Sequence, residues 1–345
     1  MFEVLRANLC SPMTLAFGLG IVARLVRSEL SLPRDLYTAL SIYLLFALGL
    51  KGGVELSHAP LATIVWPALA AIAIGCVTPL TSYTVLRRLG RFSIADSAGI
   101  AAHYGSVSAV TFLAAQQFLA SMDSKPEGFM PTLLTLLESP GINIALAVGA
   151  VQMARARASA METSALPGER VDAVDGVPAP KPIKAVLHEV LTARSMVLLV
   201  GGLVLGTIMG EKGYVPVKPF FEDMFKGALT LFLLEMGLTA GSRLGDLKKV
   251  GAFLLGFGIV MPVLHGALGV ILGHWAGLSV GGCAMLGTMA ASASYIAAPP
   301  AVRMTLPEAN PTYYLTSALA ITFPFNILAG IPLYYQIARQ VAGAY

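Results

Sequence analysis

Two clusters of hydroxyl-bearing and small residues lie inside long apolar runs of this sequence. The first covers residues 101–111 and the second covers residues 287–297. Inside such a run a polar group must find a partner or serve a purpose, because burying it unpaired is costly. The candidate substrate-binding residues in the two clusters are Gly105, Ser106, Ser108, Ala291, Ser292, Ser294 and Tyr295. The matched pair predicts a binding site between two related halves of the chain.

The chemistry that these clusters suit is the binding of small ions. Serine and glycine lower helix propensity, so each cluster favours an interruption of its helix. The second half of a broken helix would present free N–H groups to a small anion, and the first half would present free carbonyls to a sodium ion. We expect the hydroxyls of Ser106, Ser108, Thr111, Ser292 and Ser294 to contribute to the sodium site. Close helix packing by small residues would explain either cluster alone, but two matched copies at the same depth favour a binding site.

Other polar residues in the apolar runs are candidates for the same site. His103 and Tyr104 directly precede the first serine cluster, and we expect them to line it. Asn143 and Asn326 each follow a helix-breaking proline, so each either caps a break or contacts the ion. Glu235 is a carboxylate well inside a predicted span. It is a candidate sodium ligand, and a structural role fits the sequence equally well.

The composition is that of a polytopic membrane protein. Of 345 residues, 56% are hydrophobic and 12% are charged, and the mean hydropathy is +0.74, which is more apolar surface than a water-soluble core can hide. The net charge of +4 gives no indication of a nucleic-acid partner. The three cysteines lack metal-ligand spacing, and we find no phosphate loop or Gly-x-Ser-x-Gly motif. We therefore expect a protein that is not an enzyme and has no cofactor or transition metal, with an ion gradient driving any uphill transport.

Ten apolar segments are long enough to span a bilayer. They lie at about 11–27, 35–51, 60–86, 92–121, 131–153, 190–210, 220–241, 250–274, 278–304 and 311–338. The polar stretch 154–186, between the fifth and sixth segments, is rich in Ala, Pro, Glu and Arg, which predicts a flexible linker. The expected fold is therefore an all-α membrane protein with five helices in residues 1–153 and five in residues 187–345, in which helices four and nine are broken.

The positions of lysine and arginine predict the orientation. They concentrate in the linker and in the loops after helices one, three, seven and nine. Because basic residues of short loops stay in the cytoplasm, both termini are predicted outside and the linker is predicted cytoplasmic. An odd number of helices per half then inverts the second half. Matching runs recur at nearly equal separation in the two halves, which also predicts an inverted repeat. They are the two serine clusters and the pair Leu48-Gly-Leu-Lys-Gly-Gly53 and Met236-Gly-Leu-Thr-Ala-Gly241.

Several runs resemble the sodium-dependent bicarbonate transporter family. They are Gly49-Leu-Lys-Gly-Gly53, Met236-Gly-Leu-Thr-Ala-Gly-Ser-Arg-Leu-Gly-Asp-Leu-Lys-Lys-Val250, Pro262-Val-Leu-His-Gly266 and Ala290-Ala-Ser-Ala-Ser-Tyr-Ile-Ala-Ala-Pro-Pro300. The resemblance implies two inverted five-helix repeats, a core domain that moves against a gate domain, and a homotrimer among the lipids of the plasma (inner) membrane. It implies sodium-coupled bicarbonate uptake, with ligands at the breaks from Gly105, Ser106, Ser108, Ser292 and Ser294. In cyanobacterial members a cytoplasmic PII-like trimer is an inhibitory partner.

The chain departs from the family at Tyr295. In the cyanobacterial motif the second serine cluster is followed by an aspartate and Ile-Ser-Gly-Pro-Pro, whereas here it is followed by Tyr295-Ile-Ala-Ala-Pro-Pro300. A phenol lacks the negative charge of the carboxylate, and we hypothesise that Glu235 replaces that charge from another helix. The expected function is sodium-coupled bicarbonate symport by alternating access. The alternatives are a sodium-coupled carrier of another small anion, such as an organic acid, and a membrane sensor or scaffold that transports nothing.

Overall fold

The computed structural model describes residues 2–138, 140–164, 192 and 194–343. These residues form helices and short connections, and no β-strand occurs among them. The helices are α1 (Phe2–Leu9), α2 (Pro12–Leu25), α3 (Arg34–His58), α4 (Leu61–Arg88), α5 (Ile94–Tyr104), α6 (Ala109–Ser121), α7 (Met130–Glu138), α8 (Pro140–Ser164), α9 (Arg194–Tyr214), α10 (Phe225–Arg243), α11 (Leu247–Trp275), α12 (Val280–Ala290), α13 (Ala298–Thr305) and α14 (Pro311–Val341). Within α14, two stretches are π-helical, Ser317–Thr322 and Asn326–Gly330.

Seven helical segments of the described chain are long and apolar enough to cross a membrane, or eight if α1 and α2, which meet at 60°, count as one span. One of the seven, Pro219–Trp275, contains both α10 and α11. The predicted ninth span falls on the shorter helices α12 and α13. The protein is therefore an all-helical, multi-pass membrane protein, and the number of ten crossings stays a prediction.

The end of α8 lies beyond the predicted start of the linker. The composition predicts a linker over residues 154–186, but α8 continues to Ser164. Residues 154–164 contain four alanines together with arginine, methionine and glutamate, which are good helix formers, so the helix extends past its apolar part. The remainder of the predicted linker, residues 165–186, lies outside the described residues.

Both predicted helix interruptions are present. In the first, α5 ends at Tyr104 and α6 begins at Ala109. In the second, α12 ends at Ala290 and α13 begins at Ala298. Each connecting segment contains two of the serines that the sequence analysis selected.

The two broken helices begin with the same kind of cap. The hydroxyl of Ser93 accepts a hydrogen bond of 3.0 Å from the amide of Asp96 at the start of α5. The hydroxyl of Ser279 accepts one of 3.1 Å from the amide of Gly282 at the start of α12. A serine N-cap satisfies one of the amides that a helix start leaves without a partner. Equivalent residues therefore fix where both broken helices begin.

The helices form two groups. In the four-helix group, α3 packs on α9 and α2 packs on α10. The broken-helix group contains α4 to α8 and α11 to α14, so both interruptions belong to it. Side chains join the groups, as where the rings of Phe17 and Phe323 meet edge to face with centroids 5.4 Å apart.

Glycines permit the close packing inside the four-helix group. A Cβ atom at Gly206 of α9 would overlap the carbonyl oxygen of Leu50 in α3. A Cβ atom at Gly237 of α10 would likewise overlap the carbonyl oxygen of Phe17 in α2. Small residues at such crossings let helix backbones touch. The helices of this group therefore touch through their backbones, at positions where a Cβ atom would not fit.

We expect Gly206→Ala to push α3 and α9 apart and to lower the melting temperature of the detergent-solubilised protein. Overpacking of this kind typically destabilises by about 1–3 kcal/mol. Gly201→Ala, in the same helix, is the matched control, because nothing lies within 4 Å of a Cβ atom at Gly201. The control variant should melt at or slightly above the wild-type temperature, since alanine is the better helix former. Equal melting of the two variants would show that the α3–α9 contact is loose.

Candidate ion-binding site

The two helix breaks meet and form hydrogen bonds with each other. The amide of Ser108 donates to the hydroxyl of Ser292 at 2.9 Å. The amide of Ser294 donates to the carbonyl oxygen of His103 at 2.8 Å. Ser106, Ser108, Ser292 and Ser294 are each no more than 5% exposed. The fold thus brings both serine clusters into one buried region, where each break satisfies backbone groups of the other.

Side chains cap the second half of each broken helix. The hydroxyl of Ser108 accepts from the amide of Thr111 at 3.2 Å at the start of α6. The hydroxyl of Ser294 accepts from the amide of Ala297 at 3.4 Å at the start of α13. The first four amides of a helix have no partner within it, and each of these caps satisfies only one. The amides left over at the start of α6 give it a partial positive charge that suits a small anion. The start of α13 offers fewer donors, because Pro299 and Pro300 have no N–H.

Gly105 lies where three segments of the chain come close together. A Cβ atom at this position would lie 2.8 Å from the Cβ atom of Pro79 in α4 and 2.9 Å from the backbone of Gly141 in α8. The neighbouring Ser106 donates its hydroxyl to the carbonyl oxygen of Glu138 at 2.8 Å. Close packing therefore explains why residue 105 is a glycine. The Ser106 hydroxyl already donates to a protein carbonyl.

Asn326 and Asn143 have different surroundings. The fully buried Asn326 donates its Nδ2 to the carbonyl oxygen of Ala291 at 2.9 Å, and its Oδ1 accepts from the hydroxyl of Tyr334 at 3.0 Å. It therefore caps the end of α12, which is one of the two roles that the sequence allowed. The Oδ1 of Asn143 is buried and forms no hydrogen bond with the described residues, so a role for Asn143 in ion binding stays a prediction.

Tyr295 is buried beside the first break. Its ring packs edge to face against Phe323, with centroids 5.3 Å apart. Its hydroxyl forms no hydrogen bond of normal geometry within the described residues, although the side chain of Ser108 lies next to it. Buried hydroxyls without a partner are uncommon. This oxygen therefore has hydrogen-bonding capacity left for a ligand held at Ser108.

His103 and Tyr104 are both anchored by their side chains. The Nδ1 of His103 bonds to the carbonyl oxygen of Gly99 at 2.8 Å, and its ring stacks on Tyr314. The hydroxyl of Tyr104 lies 2.6 Å from that of Thr322 in α14. Among the described residues, His103 bonds to the second break through its carbonyl oxygen, and its Nε2 is buried without a hydrogen-bond partner.

Glu235 lies in the four-helix group, apart from the breaks. Its carboxylate interacts with the backbone of Leu32 and the side chain of Thr239, and no hydrogen bond joins it to the four serines within the described residues. Tyr37 lies close to both Glu235 and Tyr295. Tyr37 was not selected from the sequence, because a single tyrosine in an apolar helix gives no signal of what it faces.

The chemical groups at the breaks are hydroxyls, carbonyls and amides. In the described part of the chain, no three His, Cys, Asp or Glu side chains lie close enough to hold a metal ion together. Oxygen ligands suit a hard cation such as sodium, and helix-start amides suit an anion. Membrane-length apolar helices that break against each other in the protein interior are typical of ion-coupled membrane transporters.

The protein thus has the fold and the site chemistry of a membrane transporter. Residues 12–339 match the Na+-dependent bicarbonate transporter superfamily, and the chain belongs to this family. The match covers nearly the whole chain and confirms the family predicted from the sequence, which is a transporter family and not an enzyme family. A search of curated proteins found no match.

We expect Ser292→Ala to lower the free energy of unfolding by about 1–3 kcal/mol, because it leaves the buried amide of Ser108 without a partner. Ser97→Ala is the matched control. The Ser97 hydroxyl is fully buried but forms no hydrogen bond within the described residues, so its removal should be neutral or stabilising. Thermal melting in detergent compares the two variants. A Ser292 variant as stable as the Ser97 variant would mean that the bond between the breaks contributes nothing.

Proposed function

We propose that the protein is a sodium-coupled bicarbonate symporter. The observation that carries the proposal is the direct hydrogen bonding of the two helix breaks, because it gathers hydroxyls, carbonyls and two helix starts in one buried region. The family description names both sodium and bicarbonate. A sodium ion bound there would offset the charge of the anion. A binding site that holds only one of the two ions would move between the two faces of the membrane poorly. That difference would couple the two fluxes.

We further propose ten crossings in two inverted repeats, with both termini outside and the linker cytoplasmic. The packing of the four-helix group supports this arrangement, since α2 packs on α10 and α9 packs on α3. If α9 begins the second repeat, then α2 corresponds to α9 and α3 corresponds to α10. Exchanging the repeats converts one packed pair into the other, as a pseudo-two-fold axis requires.

Carboxylates at the starts of the broken helices also support the repeat. Asp96, at the start of α5, accepts a hydrogen bond of 2.8 Å from the amide of Asn310, which precedes α14. The matching position in α12 is Gly282, and Glu127, from the connection after α6, accepts one of 2.6 Å from the amide of Ser279. A Cβ atom at Gly282 would overlap the carboxylate of Glu127. Each broken helix is thus bonded to a loop of the other repeat through a carboxylate. The helix supplies the carboxylate at Asp96, and the loop supplies it at Glu127.

The two helix groups suggest how access alternates. All four serines of the breaks belong to the broken-helix group, so a ligand held by them would move with that group as one body. The glycine contacts at Gly206 and Gly237 make the four-helix group a rigid counterpart. We propose that the broken-helix group is the moving core and the four-helix group is the gate.

Uptake into proteoliposomes tests the function. With an inward sodium gradient, we expect labelled bicarbonate to accumulate, and we expect accumulation to stop when the gradient is dissipated or potassium replaces sodium. If unlabelled bicarbonate inhibits the uptake of labelled bicarbonate more strongly than small organic acids do, bicarbonate is supported as the substrate. Better competition by an organic acid would favour the alternative carrier, and sodium-dependent binding without accumulation would favour a sensor or scaffold.

We expect Glu235→Gln to weaken activation by sodium about tenfold or more, because it removes a negative charge that lies close to Tyr37, the neighbour of Tyr295, while keeping the shape of the side chain. The maximal uptake rate at saturating sodium should fall much less. Glu211→Gln is the matched control, since Glu211 is exposed and lies outside both breaks. Sodium activation curves measured side by side decide between a charge role and a structural role, and a wild-type curve for Glu235→Gln would refute the charge role.

The assembly and regulation are proposals that rest on family resemblance. We propose a homotrimer in the inner membrane, which mass measurement of the detergent-solubilised protein tests. A cytoplasmic PII-like regulator would dock on the cytoplasmic face, where the proposed topology places the linker.

A further inference from the structure

A cavity of about 420 Å³ lies between the two helix groups. Its walls come from α1 and α2, the second half of α6, the start of α10, and α14. It extends along α6 from Ser121, at the end of that helix, to Ala114. Ala114 is six residues from Ser108, which corresponds to about 9 Å along a helix. The cavity therefore approaches the first break without reaching it.

The lining of the cavity includes polar side chains and carries one charge. Asn8, Ser11, Gln117 and Thr230 contribute polar side chains. Lys226 is the only charged residue among the described residues that line it, and Lys226 forms no ion pair within the described chain. An unpaired cation at a cleft with apolar walls raises the local concentration of anions.

Apolar side chains close the inner end of the cavity. Leu233 of α10 and Ile327 of α14 line it, and both are almost completely buried. Ile327 directly follows Asn326, whose amide holds the carbonyl of Ala291 at the second break. This apolar floor, to which both helix groups contribute, thus separates the cavity from the breaks.

We propose that this cavity is the entrance for the transported anion and that Lys226 attracts it there. The inference deepens the proposed function, on which it rests. Under the proposed topology, the cavity opens outside, because α6 ends and α10 begins at the face opposite the basic loops after α4 and α10. The occupant is a small monovalent anion, bicarbonate in the proposed reaction, which passes the floor when the two helix groups move apart.

Cysteine labelling tests the cavity without requiring transport. Thr230→Cys is placed in a background in which Cys10, Cys76 and Cys283 are replaced, and an anionic and a cationic methanethiosulfonate reagent are applied from outside. Thr230 is four residues after Lys226, so their side chains are neighbours on the helix. We expect the anionic reagent to be favoured, and Lys226→Gln to reduce the anionic-to-cationic rate ratio about three- to tenfold, as one nearby charge would. Lys212→Gln, an exposed lysine outside the cavity, should leave the ratio unchanged.

Uptake kinetics test the role of the charge. At low ionic strength, Lys226→Gln should raise the KM for bicarbonate about three- to tenfold with a maximal rate within about twofold of wild type, and high salt should reduce the difference. A Thr230→Cys protein that resists labelling, a rate ratio insensitive to Lys226, or a lower maximal rate with unchanged KM would each overturn the proposal. Wild-type protein that fails to accumulate bicarbonate would refute the proposed function instead, and the labelling ratio would still decide whether the cavity selects anions.

Discussion

A backbone amide or carbonyl that loses its hydrogen bond inside a membrane has no water to replace it, and this constraint governs the whole structure. Two broken helices create several such groups at once. The protein satisfies them mutually, because the amide of Ser108 uses the hydroxyl of Ser292 and the amide of Ser294 uses the carbonyl of His103. Each break thus supplies the hydrogen-bond acceptor for one amide of the other, which gives a physical reason for a matched pair of serine clusters. The groups left over at the helix starts are those that an ion can satisfy.

The two helix groups differ in the kind of contact that holds them. Inside the four-helix group, backbones touch at Gly206 and Gly237, and such contacts cannot slide without a collision. Between the groups, contacts such as Phe17 with Phe323 are made by side chains, which can exchange partners at small cost. Movement between the groups is therefore easier than movement within the four-helix group. Because all four serines of the breaks lie in one group, they keep their geometry when the groups shift.

The sequence predicted the features that depend on local chemistry. Serines within apolar runs predicted both breaks, and Asn326 was a candidate cap that the structure places on Ala291. Features that depend on distant segments were not predictable, such as the closeness of Tyr37 to both Glu235 and Tyr295 or the carboxylate of Glu127 beside Gly282. The extension of α8 to Ser164 was missed because the prediction followed hydropathy, while the helix formers beyond residue 153 are polar or small.

The location of Glu235 in the four-helix group matters for coupling. In the cyanobacterial motif the negative charge sits within the break itself, whereas here Tyr295 occupies that position and Glu235 belongs to the other helix group. A charge on the break travels with the ion, but a charge on the four-helix group stays behind. If Glu235 supplies the charge, sodium is held more tightly in the arrangement that brings Tyr295 near Tyr37 and Glu235 than in the arrangement that separates them. Sodium affinity then depends on which way the site faces, and the ion is released when the groups part.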